Sequence, residues 1–110
     1  MRRINAGKYD KRIEIYAVDL DTDEEGFQRE VRRLVLRTWA NVKTTKGYTI
    51  IINNSDFEKA LTNFTIRFPK TVINRDMQID FAGKTYRIEY LNNIDEDGVE
   101  LEIQAKEVTH

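Results

Sequence analysis

Hydrophobic and polar residues alternate with a period of two along most of this chain. The alternation is cleanest from Met77 to Leu91, MQIDFAGKTYRIEYL. Met77, Ile79 and Phe81 share one parity; beyond a turn at Gly83, Tyr86, Ile88 and Tyr90 share another. That period sends successive side chains to opposite faces, so the pattern predicts two half-buried antiparallel strands. A two-residue loop at Gly83-Lys84 in a type II′ turn keeps the faces matched. The rival loop at Ala82-Gly83 would also match them, but would ask alanine for a positive φ. The preferred register sets Phe81 opposite Tyr86, Ile79 opposite Ile88 and Met77 opposite Tyr90, with Asp80 opposite Arg87 on the other face.

The same period recurs along the chain. Lys11 to Val18, KRIEIYAV, reads as a strand with Ile13, Ile15 and Ala17 inward. In Asn63 to Phe68, Phe64, Ile66 and Phe68 point inward, and Pro69 ends the strand because proline cannot donate to a ladder. Val99, Leu101, Ile103 and Ala105 set the inner face of the last strand, after the acidic loop Asn92 to Gly98. In Phe27 to Lys43 the parity switches: Phe27, Val31, Val35 and Trp39 share one face, while Leu34, Leu36, Ala40 and Val42 share the other. One strand covered on both faces, or two strands separated by a bulge, accounts for the switch. A helix is the rival, since Val31, Leu34, Val35 and Thr38 also have helical spacing.

Thr44 to Asn63, TTKGYTIIINNSDFEKALTN, breaks the regularity. Lys46-Gly47 signals a turn, and Ile50, Ile51 and Ile52 stop at Asn53-Asn54. Ser55 with Glu58 three residues later has the form of a capping box, which predicts a short helix of about two turns. Taken alone, the isoleucine triplet reads as a small core strand rather than an exposed tip. About six strands joined by turn signals then predict an all-β fold, a small antiparallel barrel or sandwich, with one long loop carrying a short helix.

Composition narrows the chemistry. The chain has 110 residues, 40% of them apolar, enough for a single modest core. Charged residues of both signs make up 34%, and the net charge of -1 lacks the basic excess of a general nucleic-acid binder. No apolar run approaches the ~18 residues of a membrane span, and the basic N-terminus lacks the apolar segment of a signal peptide.

There is no cysteine, the one histidine is His110, and the one serine is Ser55. Ser-His, Cys-His and histidine-based zinc sites are thereby nearly excluded, and a carboxylate enzyme would need a cleft with two converging, desolvated acids, so neither catalytic residues nor cofactor or metal ligands are expected. Asp19, Asp21 and Asp23, with Glu30 at the twelfth position, invite a calcium-loop reading. Glu24 stands where the sharp-turn glycine belongs, which favours an acidic hairpin loop. Arg29, Arg32, Arg33 and Arg37 form a basic face, either paired with acidic neighbours or offered to a partner.

The order of these signals resembles the head-tail joining proteins of tailed bacteriophages, also called head-completion, head-closure or stopper proteins. The matching features are Arg12-Ile13-Glu14-Ile15, the loop ending Glu25-Gly26, Trp39-Ala40-Asn41-Val42 and Phe64-Thr65-Ile66-Arg67-Phe68. They continue with Met77-x-Ile79, Phe81-x-Gly83-x-x-Tyr86-x-Ile88 and the closing strand through Leu101, so the likeness runs from about Lys8 to Val108.

The resemblance implies one domain over 1–110, a non-enzymatic β-barrel with a projecting loop at about 44–63. It implies a ring at the virion neck, built in the host cytoplasm below the portal and its adaptor, that closes the DNA exit channel and docks the tail. Expected partners are the portal and adaptor proteins, tail completion proteins and further copies of the chain, with ring formation awaiting the adaptor. DNA would pass without specific binding, and no membrane is involved. The assembly contacts fall on Lys46, Gly47, Tyr48, Thr49, Ile50, Ile51, Ile52, Asn53 and Asn54. In this light an assembly role for the isoleucines weighs as much as a core role. The family often places an acidic residue soon after the loop glycine, where this chain has Tyr48-Thr49-Ile50-Ile51. The alternative from another class is an OB-like nucleic-acid-binding barrel, with Phe64, Phe68, Tyr86 and Tyr90 stacking on bases.

Overall fold

In a computed structural model the alternating segments form six strands: β1 (Lys11–Thr22), β2 (Gln28–Ile52), β3 (Ser55–Arg67), β4 (Gln78–Phe81), β5 (Lys84–Asn93) and β6 (Glu100–Glu107). The structure describes residues 8–52, 55–96 and 98–108, with side chains outside 45–60 and 95. Every pairing is antiparallel, and the order β1-β2-β3-β6-β5-β4 closes on itself as a barrel. Closure is by β1 with β4, where Glu14, Ile15 and Tyr16 face Asp80, Ile79 and Gln78.

The inward faces make one core of Ile13, Ile15, Ala40, Phe64, Ile66, Met77, Ile79, Tyr86, Ile88, Leu101, Ile103 and Ala105. Phe64 is its largest fully buried side chain. Its ring meets Tyr86 edge-on at 5.2 Å and Phe81 at 5.8 Å, the arrangement that aromatic quadrupoles favour.

Bulges explain where simple alternation misplaces a side chain. On β2, Ile15 faces Leu36 while Tyr16 faces Leu34, so Val35 is the extra residue and the parity switches there. Of the Phe27–Lys43 segment, Gln28 to Lys43 therefore lies in one bulged strand, not a helix, and Phe27 belongs to the turn before it. On β5, Ile88 faces Ala105 and Tyr90 faces Gln104, leaving Glu89 as the extra residue. Leu91 then packs against the core in place of Tyr90, which is exposed. Phe68, also expected inward, lies beyond the end of β3 and is exposed.

Two expectations about the 44–63 segment are corrected as well. Ser55–Arg67 is strand throughout, so the capping-box helix does not form. The 44–63 segment, expected as a loop, lies mostly in a β2–β3 ribbon with Ile50 opposite Phe57 and Ile52 opposite Ser55. A local N-cap signal is worth about 1 kcal/mol, and pairing of the flanking β-branched run outweighs it. Asn53 and Asn54 fall outside the described residues.

The hairpin loop is Ala82-Gly83 rather than the expected Gly83-Lys84, and the register shifts with it: Phe81 faces Lys84 instead of Tyr86, Asp80 faces Thr85, Ile79 faces Tyr86 instead of Ile88, and Gln78 faces Arg87. Ala82 (φ 53) and Gly83 (φ 78) both adopt positive φ, the geometry of a type I′ turn. Its twist suits the strands, and alanine bears the steric cost.

The strands differ greatly in length. β2 has 25 residues and β4 only 4. Past Tyr16, β1 pairs only with β2 among the described residues; before Thr62, β3 pairs only with β2. Two β-ribbons therefore run beyond the barrel. The Cα radius of gyration is 16.1 Å, against about 13 Å for a compact chain of this size. Fully extended, β2 would span about 80 Å, yet the longest dimension is 55 Å, so the strand bends.

Ala82→Gly is expected to raise stability by about 0.5–1 kcal/mol, relief of the αL cost being partly offset by chain entropy. The measurement is the urea midpoint at unchanged slope. A lower midpoint would show that alanine is not strained in this turn.

Candidate functional site

The arginines of β2 and the carboxylates of β1 face one another because the hairpin register brings them together. Arg37 lies opposite Glu14 and donates to its Oε2 from both Nε (3.0 Å) and Nη2 (2.8 Å). Arg29 lies opposite Asp21, at 3.9 Å, and Arg33 reaches Asp19 at 3.6 Å. Arg32 reaches off its ribbon to Asp80 on β4, donating from Nη2 to Oδ1 at 2.7 Å. The guanidinium also lies 4.1 Å from the centroid of the Tyr16 ring, and Thr85 Oγ1 donates to the same Asp80 oxygen at 3.0 Å. The predicted basic face is thus brought together, but each member is matched to an acid. Arg32 does more than the others, since it ties the ribbon to the barrel.

At the ribbon tip, Asp23 Oδ1 accepts from the Glu25 and Phe27 amides, both at 2.9 Å, and Gly26 turns the chain at φ 88. The acidic loop is therefore a tight hairpin turn capped by its own aspartate, joining strands rather than helices. Phe27 (67% exposed) and Leu20 (69%) stand out from it. Glu24, Glu25 and Glu30 make no ion pair among the described residues.

At the far end of the same hairpin lies an open cleft of about 290 Å³, lined by Tyr9, Thr38, Trp39 and Arg67. Trp39 is half exposed, and Arg12 lies 5.2 Å from its ring centroid. Arg67 lies 5.7 Å from the ring centroid of Tyr9. The Tyr9 hydroxyl donates to Glu100 Oε2, which Lys8 also pairs with at 2.7 Å. Neither Arg12 nor Arg67 pairs with a carboxylate among the described residues.

Sequence reasoning missed this cleft. Trp39 has the parity opposite to Leu36, Ala40 and Val42 beyond the bulge, and that was its one available signal. Nothing local showed that Tyr9 would fold over β3 and β6 and bury Glu100, which is 3% exposed.

The predicted contact segment is only partly placed. The backbone of Lys46 to Ile52 lies in the outer part of β2, opposite β3. Of the rings offered for base stacking, Phe64 and Tyr86 are sealed in the core, while Phe68, just past the end of β3, and Tyr90, on β5, are exposed apart from each other in the chain. Among the described residues no three histidine or carboxylate side chains converge as a metal site.

Fold and surface together define a small closed β-barrel carrying two long ribbons. The chain matches the phage head completion proteins over residues 4–108 and belongs to that family. It is a structural protein of the phage virion. A chain in the virion of a native gene transfer agent particle has the same fold at 16% identity and a TM-score of 0.65, covering 100% of both chains. So does protein SF1141 from Shigella flexneri 2a, known from its solution structure. It is 20% identical with a TM-score of 0.66, covering 97% of this chain and 99% of that one. No curated protein matches the chain.

The pairs on β2 should differ in strength. A double-mutant cycle on Arg32→Ala and Asp80→Ala is expected to give a coupling of about 0.5–1 kcal/mol that shrinks with added salt. The longer, more exposed Arg29–Asp21 pair should give no measurable coupling. Equal couplings would refute a bracing role for Arg32.

Proposed function

We propose that this chain forms a ring at the neck of the phage head, below the portal and its adaptor. The ring closes the DNA exit channel and offers the surface on which the tail docks. Membership of the head completion family over residues 4–108 carries the reading. Its partners are then the portal–adaptor complex, the tail completion proteins and other copies of itself, met in the host cytoplasm during assembly.

The physical features are consistent with that role. A closed barrel resists deformation, because no lateral edge is left in its wall. The ribbons expose long backbone edges that are free to meet neighbours. The outer part of β2, Lys46 to Ile52, is the segment we assign to partner contact, together with Asn53 and Asn54. Charge also fits. The β2 arginines are held by carboxylates and the chain carries a net charge of -1, so DNA threading the ring would meet no strong counter-charge.

Phage production in cells lacking this protein tests the role directly. The expected products are DNA-packed heads and separate tails, with heads that lose their DNA on purification. Normal tailed particles from such cells would end the proposal.

A further inference from the structure

The β1–β2 hairpin compensates its charges along its length, whereas Glu24 and Glu25 at its tip, Arg12 at its other end and Arg67 of β3 beside Arg12 have no ion-pair partner among the described residues. The flanks hold the pairs Arg29–Asp21, Arg33–Asp19 and Arg37–Glu14. At the tip, Glu24 and Glu25 form the turn beside an exposed Phe27. At the other end, Arg12 and Arg67 flank a cleft walled by Tyr9 and Trp39. The ends are separated by the 12 residues of β1, about 40 Å of strand, so the tip cannot reach the cleft of its own molecule.

We propose that the ribbon tip of one copy seats in the cleft of the next, with Phe27 between Tyr9 and Trp39 and with Glu24 and Glu25 against Arg12 and Arg67. The occupant is a second copy because the two surfaces match in sign and in character. An exposed aromatic meets an aromatic cleft. Carboxylates without an ion-pair partner among the described residues meet guanidiniums that rest on the cleft's rings and have no carboxylate partner there either. At about 290 Å³ the cleft lies at the lower bound of small-molecule pockets, a size suited to one inserted side chain. Aromatics and arginine are the residue types that anchor protein interfaces, while rim charges set orientation and encounter rate. Because the contact joins two different surfaces, it is head-to-tail, and repeating it around an axis builds a ring. The inference rests on the ring reading above and adds the contact that closes it.

The chain has no cysteine, so single thiols can be placed cleanly. Thr22→Cys marks the tip and Thr38→Cys the cleft. The two variants are mixed at high protein concentration and low salt and treated with a short thiol-to-thiol cross-linker. A tip-to-cleft product is expected in excess over tip–tip and cleft–cleft products. Adding Arg12→Glu and Arg67→Glu to the cleft variant is expected to reduce that product about 10-fold, through like-charge contact. Glu24→Arg with Glu25→Arg on the tip variant should restore most of it, which a folding defect in the cleft variant would not allow. Rings seen by electron microscopy without the tip-to-cleft product would overturn this contact and leave the ring reading standing. Neither product nor ring, even with the portal–adaptor complex present, would overturn both.

Discussion

The barrel closes through a ladder of three residue pairs between β1 and β4, and the rest of the molecule depends on it. At its centre Ile15 faces Ile79, and both are fully buried. Without that ladder β1 and β4 would be open edges, and the core would have a slot along its length. A four-residue strand makes a weak seam by backbone bonds alone. The outer face reinforces it: Arg37 grips Glu14 on β1, and Arg32 crosses to Asp80 on β4 while resting against Tyr16. Partly exposed pairs of this kind contribute modestly to stability one by one. Their value is geometric, because they fix the direction in which the β1–β2 ribbon leaves the wall.

That constraint generates the ribbons. The wall is only as tall as its short strands, β4 and β6, so the longer β1, β2 and β3 must run past it in pairs. A two-stranded ribbon with no core beneath it is marginal in water and exposes its edges. Opposed charges along β1 and β2 support one ribbon and discourage unwanted pairing. For a monomeric enzyme such extensions would be a liability. For a virion protein that works through its neighbours, they supply contact area that is ready to be covered.

Much of the wall was legible in the sequence, because period-two alternation states directly which side chains face inward. Ile13, Ile15, Phe64, Ile66, Ile79, Tyr86, Ile88, Leu101 and Ile103 all follow from it. Alternation shows a bulge only where the parity visibly switches, as around Val35 on β2, and on β5 it does not. Tyr90 was misplaced because one extra residue on β5 reverses parity, and only the register with β6 reveals it. The turn was misjudged for a related reason: strand twist selects the type I′ geometry and overrides the preference of Ala82 itself. The expected helix failed because a capping box is local and weak, whereas the ladder with β2 spans the whole segment. The candidate cleft was illegible because Tyr9, Trp39 and Arg67 come from distant parts of the chain. The arginine face was visible as a cluster, but its pairing with Glu14, Asp19, Asp21 and Asp80 needed the register.

Family, barrel and ribbons converge on an assembly role whose central claim is a ring of this chain between the head and the tail. Electron cryomicroscopy of the neck in intact tailed particles tests it most directly. The expected result is a closed ring of copies of this six-stranded barrel, lying between the portal–adaptor assembly and the first tail protein. A neck whose density is fully accounted for without this barrel, or barrels found only as isolated copies elsewhere on the particle, would contradict it.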